Sequence, residues 1–144
     1  MVGSLSFSLT LPSDLRMLSV ARAFVEAVCQ TQKLDNRTTH AVVLALGEAV
    51  TNIIRHAHCH HVEIPLQIRC KLTPQGLVLE LQDEGAPFDL DAVPRLDPGE
   101  LRIGGRGVYL MRALMDELSC QPRGPRGNVL RMVKHWPDLV RECG

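Results

Sequence analysis

Three short clusters carry the side chains best suited to chemistry. The first is Glu48, Asn52 and His56. Residues four apart on an α-helix advance by about 400°, so the three lie along one stripe that drifts by about 40° per step. Val42, Leu46, Val50 and Ile53 take the other side of the same helix. The Asn52 side chain offers a neutral carbonyl oxygen of the kind Mg²⁺ accepts beside its waters and phosphate oxygens. A carboxylate one turn away can take the proton of an attacking hydroxyl or water, which makes Glu48 the candidate general base. The competing reading is an ordinary solvated helix face, where Glu is common.

The second cluster is Asp83-Glu84-Gly85, which follows the strand-like run Leu77 to Leu81. A carboxylate at a strand end can accept a hydrogen bond from an exocyclic amine such as that of adenine, and a glycine next to it lets the backbone approach a flat ring. Asp and Gly are also plain turn residues. The third is Gly104-Gly105-Arg106-Gly107, directly ahead of an apolar helical pattern beginning at Val108. Free backbone N–H groups and the positive end of a helix dipole favour an anion there, and Arg106 adds a charge suited to phosphate. No Lys-Ser or Lys-Thr follows these glycines and no strand precedes them, so they form neither a Walker A loop nor a Rossmann fingerprint. A hinge for a moving segment is the plainer reading, and it is compatible with phosphate binding.

The elements that must position these clusters follow from periodicity. Ser4 to Leu11 alternates as a half-buried edge strand. Helical spacing predicts a helix from about Ser13 to Gln32 and a second, capped by Asp35 or Asn36, running to about Ala57. Val62–Leu72 and Leu77–Gln82 read as a hairpin across Thr73-Pro74-Gln75-Gly76. Glu84 to Gly107 reads as a long loop, a length that within a compact domain is usually functional. A helix from Val108 and strands at Glu117–Gln121 and Asn128–Lys134 complete the pattern. Hairpins with helices gathered on one face define an α+β fold, a two-layer α/β sandwich with a mixed, mostly antiparallel sheet.

The chain has 144 residues, the size of one domain, and 45% hydrophobic content fills one core. Sixteen basic residues balance sixteen acidic ones, which argues against direct nucleic-acid binding. Five scattered cysteines without a Cys-x-x-Cys pair fit reduced thiols in a cytoplasmic protein. No apolar run approaches the roughly 20 residues that cross a bilayer.

In this order and spacing the clusters resemble the GHKL ATPase superfamily and, within it, the bacterial anti-sigma-factor serine/threonine kinases. Glu48-Ala49-Val50-Thr51-Asn52 with His56-Ala57 is similar to the N box, Asp83-Glu84-Gly85 with Pro87-Phe88-Asp89 to the first glycine box, and Gly104 to Met111 to the second. The resemblance covers nearly the whole chain. It implies the Bergerat ATP-binding fold over residues 1–144, with ATP and Mg²⁺ as cofactors. It also implies transfer of the γ-phosphoryl group to a serine or threonine of an anti-anti-sigma (STAS-type) protein by a factor that alternately sequesters a sigma factor, in a homodimer. Carried over by position, Glu48 is catalytic and Asn52 binds Mg²⁺. The nucleotide contacts fall to Asn52, His56, Asp83, Gly85, Pro87, Phe88, Gly105, Arg106, Gly107, Val108 and Asn128, under an ATP lid of about residues 90–103. Asn128 stands where relatives often carry Thr.

Two other functions compete. A nucleotide-gated regulatory module without kinase activity would not need a base at Glu48. A metal site in the stretch His56, His58, Cys59, His60 and His61 is disfavoured, because neighbours in sequence do not converge on one ion and the spacing is not a standard zinc pattern.

Overall fold

Alternation sets the sheet. In the computed structural model, which describes residues 4–93 and 106–135, Leu66, Ile68, Cys70 and Leu72 of one strand and Leu77, Leu79 and Leu81 of the next are wholly buried, and the residues between them face the other way. The strands are β1 (Leu5–Pro12), β2 (Pro65–Thr73), β3 (Gly76–Asp83), β4 (Glu117–Pro122) and β5 (Asn128–His135). They form one sheet in the order β1-β2-β3-β5-β4. Every pairing among the described residues is antiparallel, in line with the mostly antiparallel sheet expected from the sequence. The outer face is polar, with Arg69 opposite Glu80 and Glu80 opposite Arg131 in register. Cross-strand pairs of opposite charge each contribute about 0.2–1 kcal/mol.

Three helices cover the inner face: α1 (Leu18–Gln30), α2 (Asn36–Asn52) and α3 (Arg106–Leu114). α2 packs against both of the others. Val42, Ala45, Leu46, Ala49 and Val50 make its inward side almost fully buried, and each fully buried Leu or Val contributes about 1.5–3 kcal/mol over leaving it in water.

The boundaries depart from periodicity for local reasons. The first predicted helix begins as a short 3₁₀ turn, Leu15–Met17, where the Asp14 carboxylate accepts the Arg16 N–H. The second loses its α-geometry after Asn52 and continues as a π-turn, Ile53–Ala57, with the His58 N–H donating to the Ile53 carbonyl at 2.8 Å. The predicted strand at Val62 starts only at Pro65, because His61 and Ile64 close a turn through the His58 and His61 carbonyls. The hairpin turn at 73–76 is as expected, with the Thr73 hydroxyl accepting the Gln75 and Gly76 N–H groups. The predicted loop also ends early: α3 begins at Arg106 rather than Val108, which puts Gly107 inside its first turn.

Candidate functional site

Where β3 and β5 lie side by side, Asp83 pairs with Asn128, and α2 and α3 cross above that end of the sheet. Between them is a cavity of about 440 Å³, within the usual range for a small-molecule site. Its floor and walls are mainly apolar, from Ala49 and Ile53 of the α2 side, Val108 and Met111 of α3, and Leu130 of β5. Its polar lining includes Asn52, His56, Asp83 and Asn128.

Asp83 is 5% exposed. Its Oδ1 accepts the Gly85 N–H at 2.8 Å and the Asn128 amide at 3.1 Å. Oδ2 accepts no hydrogen bond from the described residues, and the side chain lines the cavity. The 83–85 backbone is held on every side. Arg123 donates to the Asp83 carbonyl (3.0 Å), Arg126 to the Glu84 carbonyl (2.9 Å), and the Gly127 N–H to the Gly85 carbonyl (2.8 Å). Gly85 is required for space: a Cβ there would stand 2.7 Å from the Ala57 Cβ and 2.9 Å from its carbonyl oxygen. The loop is thus pressed directly onto the π-turn.

Asn128 is a bracket. Its Oδ1 accepts the Phe88 N–H (3.0 Å), while its Nδ2 donates to Asp83 Oδ1 and to the Ala86 carbonyl (2.9 Å). A backbone donor on the oxygen side fixes which way the amide points, and both its N–H donors are then engaged within the protein.

Beside Asn52, which also lines the cavity, motif meets motif. A Cβ on Gly107 would lie 3.0 Å from Asn52 Nδ2, 3.3 Å from Asn52 Oδ1 and 3.2 Å from Glu48 Oε2. The first turn of α3 therefore rests on the stripe of α2, and only a glycine leaves the two side chains where they are. Neither Glu48 nor Asn52 hydrogen-bonds to another described residue, so two oxygen-bearing groups remain available beside a helix N-terminus. That donor set fits a hard, oxygen-loving cation that keeps phosphate oxygens and waters as its remaining ligands.

Of the residues expected from the sequence, Asn52, His56, Asp83, Pro87, Phe88, Val108 and Asn128 line the cavity. The π-turn brings His56 and Ala57 to it together. Glu48 and Gly107 lie against each other and do not line the cavity, and Gly85 is buried within the loop it shapes. Arg106 is exposed and does not line the cavity. Gly105, like Gly104, lies outside the described residues, as does 94–103 of the expected lid. The described start of that segment is a 3₁₀ turn, Leu90–Ala92, held by Arg112 of α3 through the Leu90 (3.0 Å) and Val93 (3.1 Å) carbonyls.

Residues 11–134 match the histidine kinase-like ATPase domain family. The chain belongs to that family. Among similar ATPase-domain proteins, a serine-protein kinase RsbW of Staphylococcus epidermidis is 27% identical over 144 residues, spanning 93% of this chain and 89% of its own. A serine-protein kinase RsbW of Listeria monocytogenes serovar 1/2a is 25% identical over 119 residues, spanning 77% and 76%. In structure, the chain is similar to one from the SiaB-SiaC complex of Pseudomonas aeruginosa, with a TM-score of 0.69 at 14% identity and 88% of each chain covered. The histidine kinase-like fold read from the sequence is thereby shown.

Among the described residues, no group of three or more His, Cys, Asp or Glu side chains is placed to hold an ion. Cys59, His60 and His61 are exposed, whereas His58 is 1% exposed and points inward. The sequence places His58 only in the disfavoured metal stretch, and Arg112, Arg123 and Arg126 were not expected as site-forming residues. The only signal for the arginines was their position beside turn glycines and the lid. For His58 there was none, since a histidine among histidines carries no mark of burial.

Proposed function

We propose that this cavity binds ATP, with adenine against Asp83 Oδ2 and the phosphates at Gly107 and the preceding glycines. On this reading the chain is an anti-sigma factor with protein serine/threonine kinase activity. The observation that carries it is the meeting of Gly107 with Glu48 and with Asn52, which lines the same cavity as Asp83. A helix N-terminus, an uncommitted amide and an uncommitted carboxylate at one point form the positioning and charge-stabilising set that phosphoryl transfer requires. The acceptor is a serine or threonine of a small anti-anti-sigma (STAS-type) protein; its hydroxyl oxygen attacks the γ-phosphorus, the bond to the ADP oxygen breaks, and Glu48 takes the hydroxyl proton. Asn52 would hold Mg²⁺, which neutralises phosphate charge when bound. Sequestration of a sigma factor, a homodimeric state and a cytoplasmic location belong to the same reading. No described helix is long and apolar enough to cross a membrane. The serine-protein kinases among the relatives support the activity.

The test is incubation of γ-labelled ATP with candidate STAS-type partners. Label should pass to a partner serine or threonine and vanish in Glu48→Gln while nucleotide binding persists. One observation favours the alternative of a nucleotide-gated binding module: Glu48 stands off the cavity surface. If nucleotide binds and no cognate partner is labelled, that module is the function.

A further inference from the structure

His58 follows the stripe that carries Asn52 and His56, yet it faces away from the cavity and into the protein. Its two ring nitrogens are bound differently. The Glu84 N–H donates to Nε2 at 2.9 Å, so Nε2 is the bare, accepting nitrogen. Nδ1 therefore carries the proton and donates to Ser13 Oγ at 2.6 Å, and the Ser13 hydroxyl donates onward to the Ile64 carbonyl at 2.7 Å. Every proton in the chain Ile64, Ser13, His58, Glu84 is thereby assigned, and the ring must be neutral. A second proton on Nε2 would point at the Glu84 N–H and remove its acceptor.

Glu84 is the middle residue of the loop whose flanking residues are Asp83 and Gly85. Its carbonyl and its neighbours' backbone groups are pinned from the β4–β5 side, by Arg123, Arg126 and Gly127. Gly85 packs on Ala57, but among the described residues the Glu84 N–H makes the one hydrogen bond that ties the loop to that side, across 26 residues to His58 and from there 45 residues back to Ser13. We propose that neutral His58 is a positioning residue for the nucleotide site, holding the Asp83–Gly85 loop at the height where Asp83 Oδ2 meets the base. This inference rests on the nucleotide reading above.

The groups facing the ring come from three segments. The end of β3 brings the carboxylates of Asp83 and Glu84, which favour the charged ring. The turn after β1 brings Ser13 and the segment before β2 brings the Ile64 carbonyl, neither of which titrates. Burial opposes the two carboxylates and outweighs them, holding the imidazole below its ordinary range. A residue that merely filled space would give the site no pH response of this kind.

The experiment is ATP affinity of the whole chain, read with a fluorescent nucleotide between about pH 5 and pH 8, where an imidazole changes charge. The proteins are wild type, His58→Gln, whose Oε1 replaces the Nε2 acceptor, and His58→Asn, whose amide reaches only the Nδ1 position. At the upper pH, H58Q should bind close to wild type and H58N about five- to tenfold more weakly, the scale of one lost buried hydrogen bond. Towards the lower pH, wild type should lose affinity relative to H58Q by a similar factor; that ratio cancels the titration of the nucleotide itself. Parallel pH profiles for wild type and H58Q, or equal affinity of H58N and wild type at the upper pH, overturn the proposal. If H58N does not fold, long-range nitrogen–proton NMR correlations of wild-type His58 decide it: a proton on Nε2 at neutral pH refutes the arrangement. If wild type binds no ATP at any pH, the nucleotide reading fails, and this inference with it.

Discussion

Gly107→Ala separates the stability of this fold from its use. The added methyl would meet Asn52 Nδ2 at 3.0 Å, Glu48 Oε2 at 3.2 Å and Asn52 Oδ1 at 3.3 Å. All three atoms are side-chain ends, so the overlap is relieved by turning Asn52 and Glu48 aside by a few tenths of an ångström, with no backbone shift. Residue 107 is in the first turn of α3, where replacing Gly by Ala gains about 0.5–1 kcal/mol of helix stability. The gain and the crowding offset, and the unfolding free energy in urea should change by less than about 1 kcal/mol with an unaltered m-value. Phosphoryl transfer is far less tolerant, since misplacing a positioning group by about 1 Å costs on the order of a hundredfold. We expect the labelling rate of a STAS-type partner to fall about ten- to hundredfold, more in turnover than in nucleotide affinity. A variant that keeps its rate within about twofold, where tenfold or more is expected, would refute the view that Gly107 exists to keep Glu48 and Asn52 in place. A stability loss above about 2 kcal/mol would refute the claim that the side chains absorb the overlap.

Three further outcomes follow from neighbouring geometry. Asn128→Asp removes the donors to Asp83 and Ala86 and sets a second carboxylate against Asp83, 3.1 Å away in the present arrangement. Urea unfolding should show a loss of about 2–4 kcal/mol at neutral pH that shrinks when the carboxyls are protonated. Because the ring of His58 is buried neutral, its affinity for a proton is greater in the unfolded chain, whose ordinary value is 6.5. The unfolded state thus binds more protons below that pH, so wild-type stability should fall as pH drops through and below about 6.5, with H58Q lacking this component in thermal melts. Cys120 lines the cavity and burial, aided by the Asp83 charge, pushes its thiol up to about 11. Alkylation followed by mass spectrometry should label exposed Cys59 well before Cys120, and ATP should slow Cys120 alone. Equal Cys120 labelling with and without ATP would place the nucleotide elsewhere.

The sequence exposed those parts of the site that backbone geometry demands. Gly85 and Gly107 were visible because glycine stands wherever one segment presses on another, and Asp83 because a strand end followed by glycine is a recognisable place for an acceptor. The strands were visible through alternation, and α2 through its apolar side. What remained hidden depends on pairing between distant segments. Asn128 looked like a ligand because its type allows it, and only the register of β5 against β3 shows both its donors already engaged. The π-turn could not be read because Ile53 to Ala57 have ordinary helical residue types; the departure is imposed where the chain packs under Gly85. The burial of His58 follows from Ser13, on the far side of α1 and α2 in sequence.

The strand order gives the molecule a sequence of competence as it is made. β5 is inserted between β3 and β4, and Asn128 and Gly127 at its start are the groups that square the Asp83 loop. During synthesis β1, the first two helices and the β2–β3 hairpin can assemble from the ribosome outward, since domains begin to fold from the N-terminal side. Until residue 128 emerges, however, Asp83 lacks its bracket and the centre of the sheet is an open edge. A nascent chain stopped short of β5 would already own every residue proposed for catalysis and still present no base site. On the reading proposed above, β5 is thus the strand that completes the base site, because Asn128 at its start holds Asp83 and the Ala86 carbonyl in place.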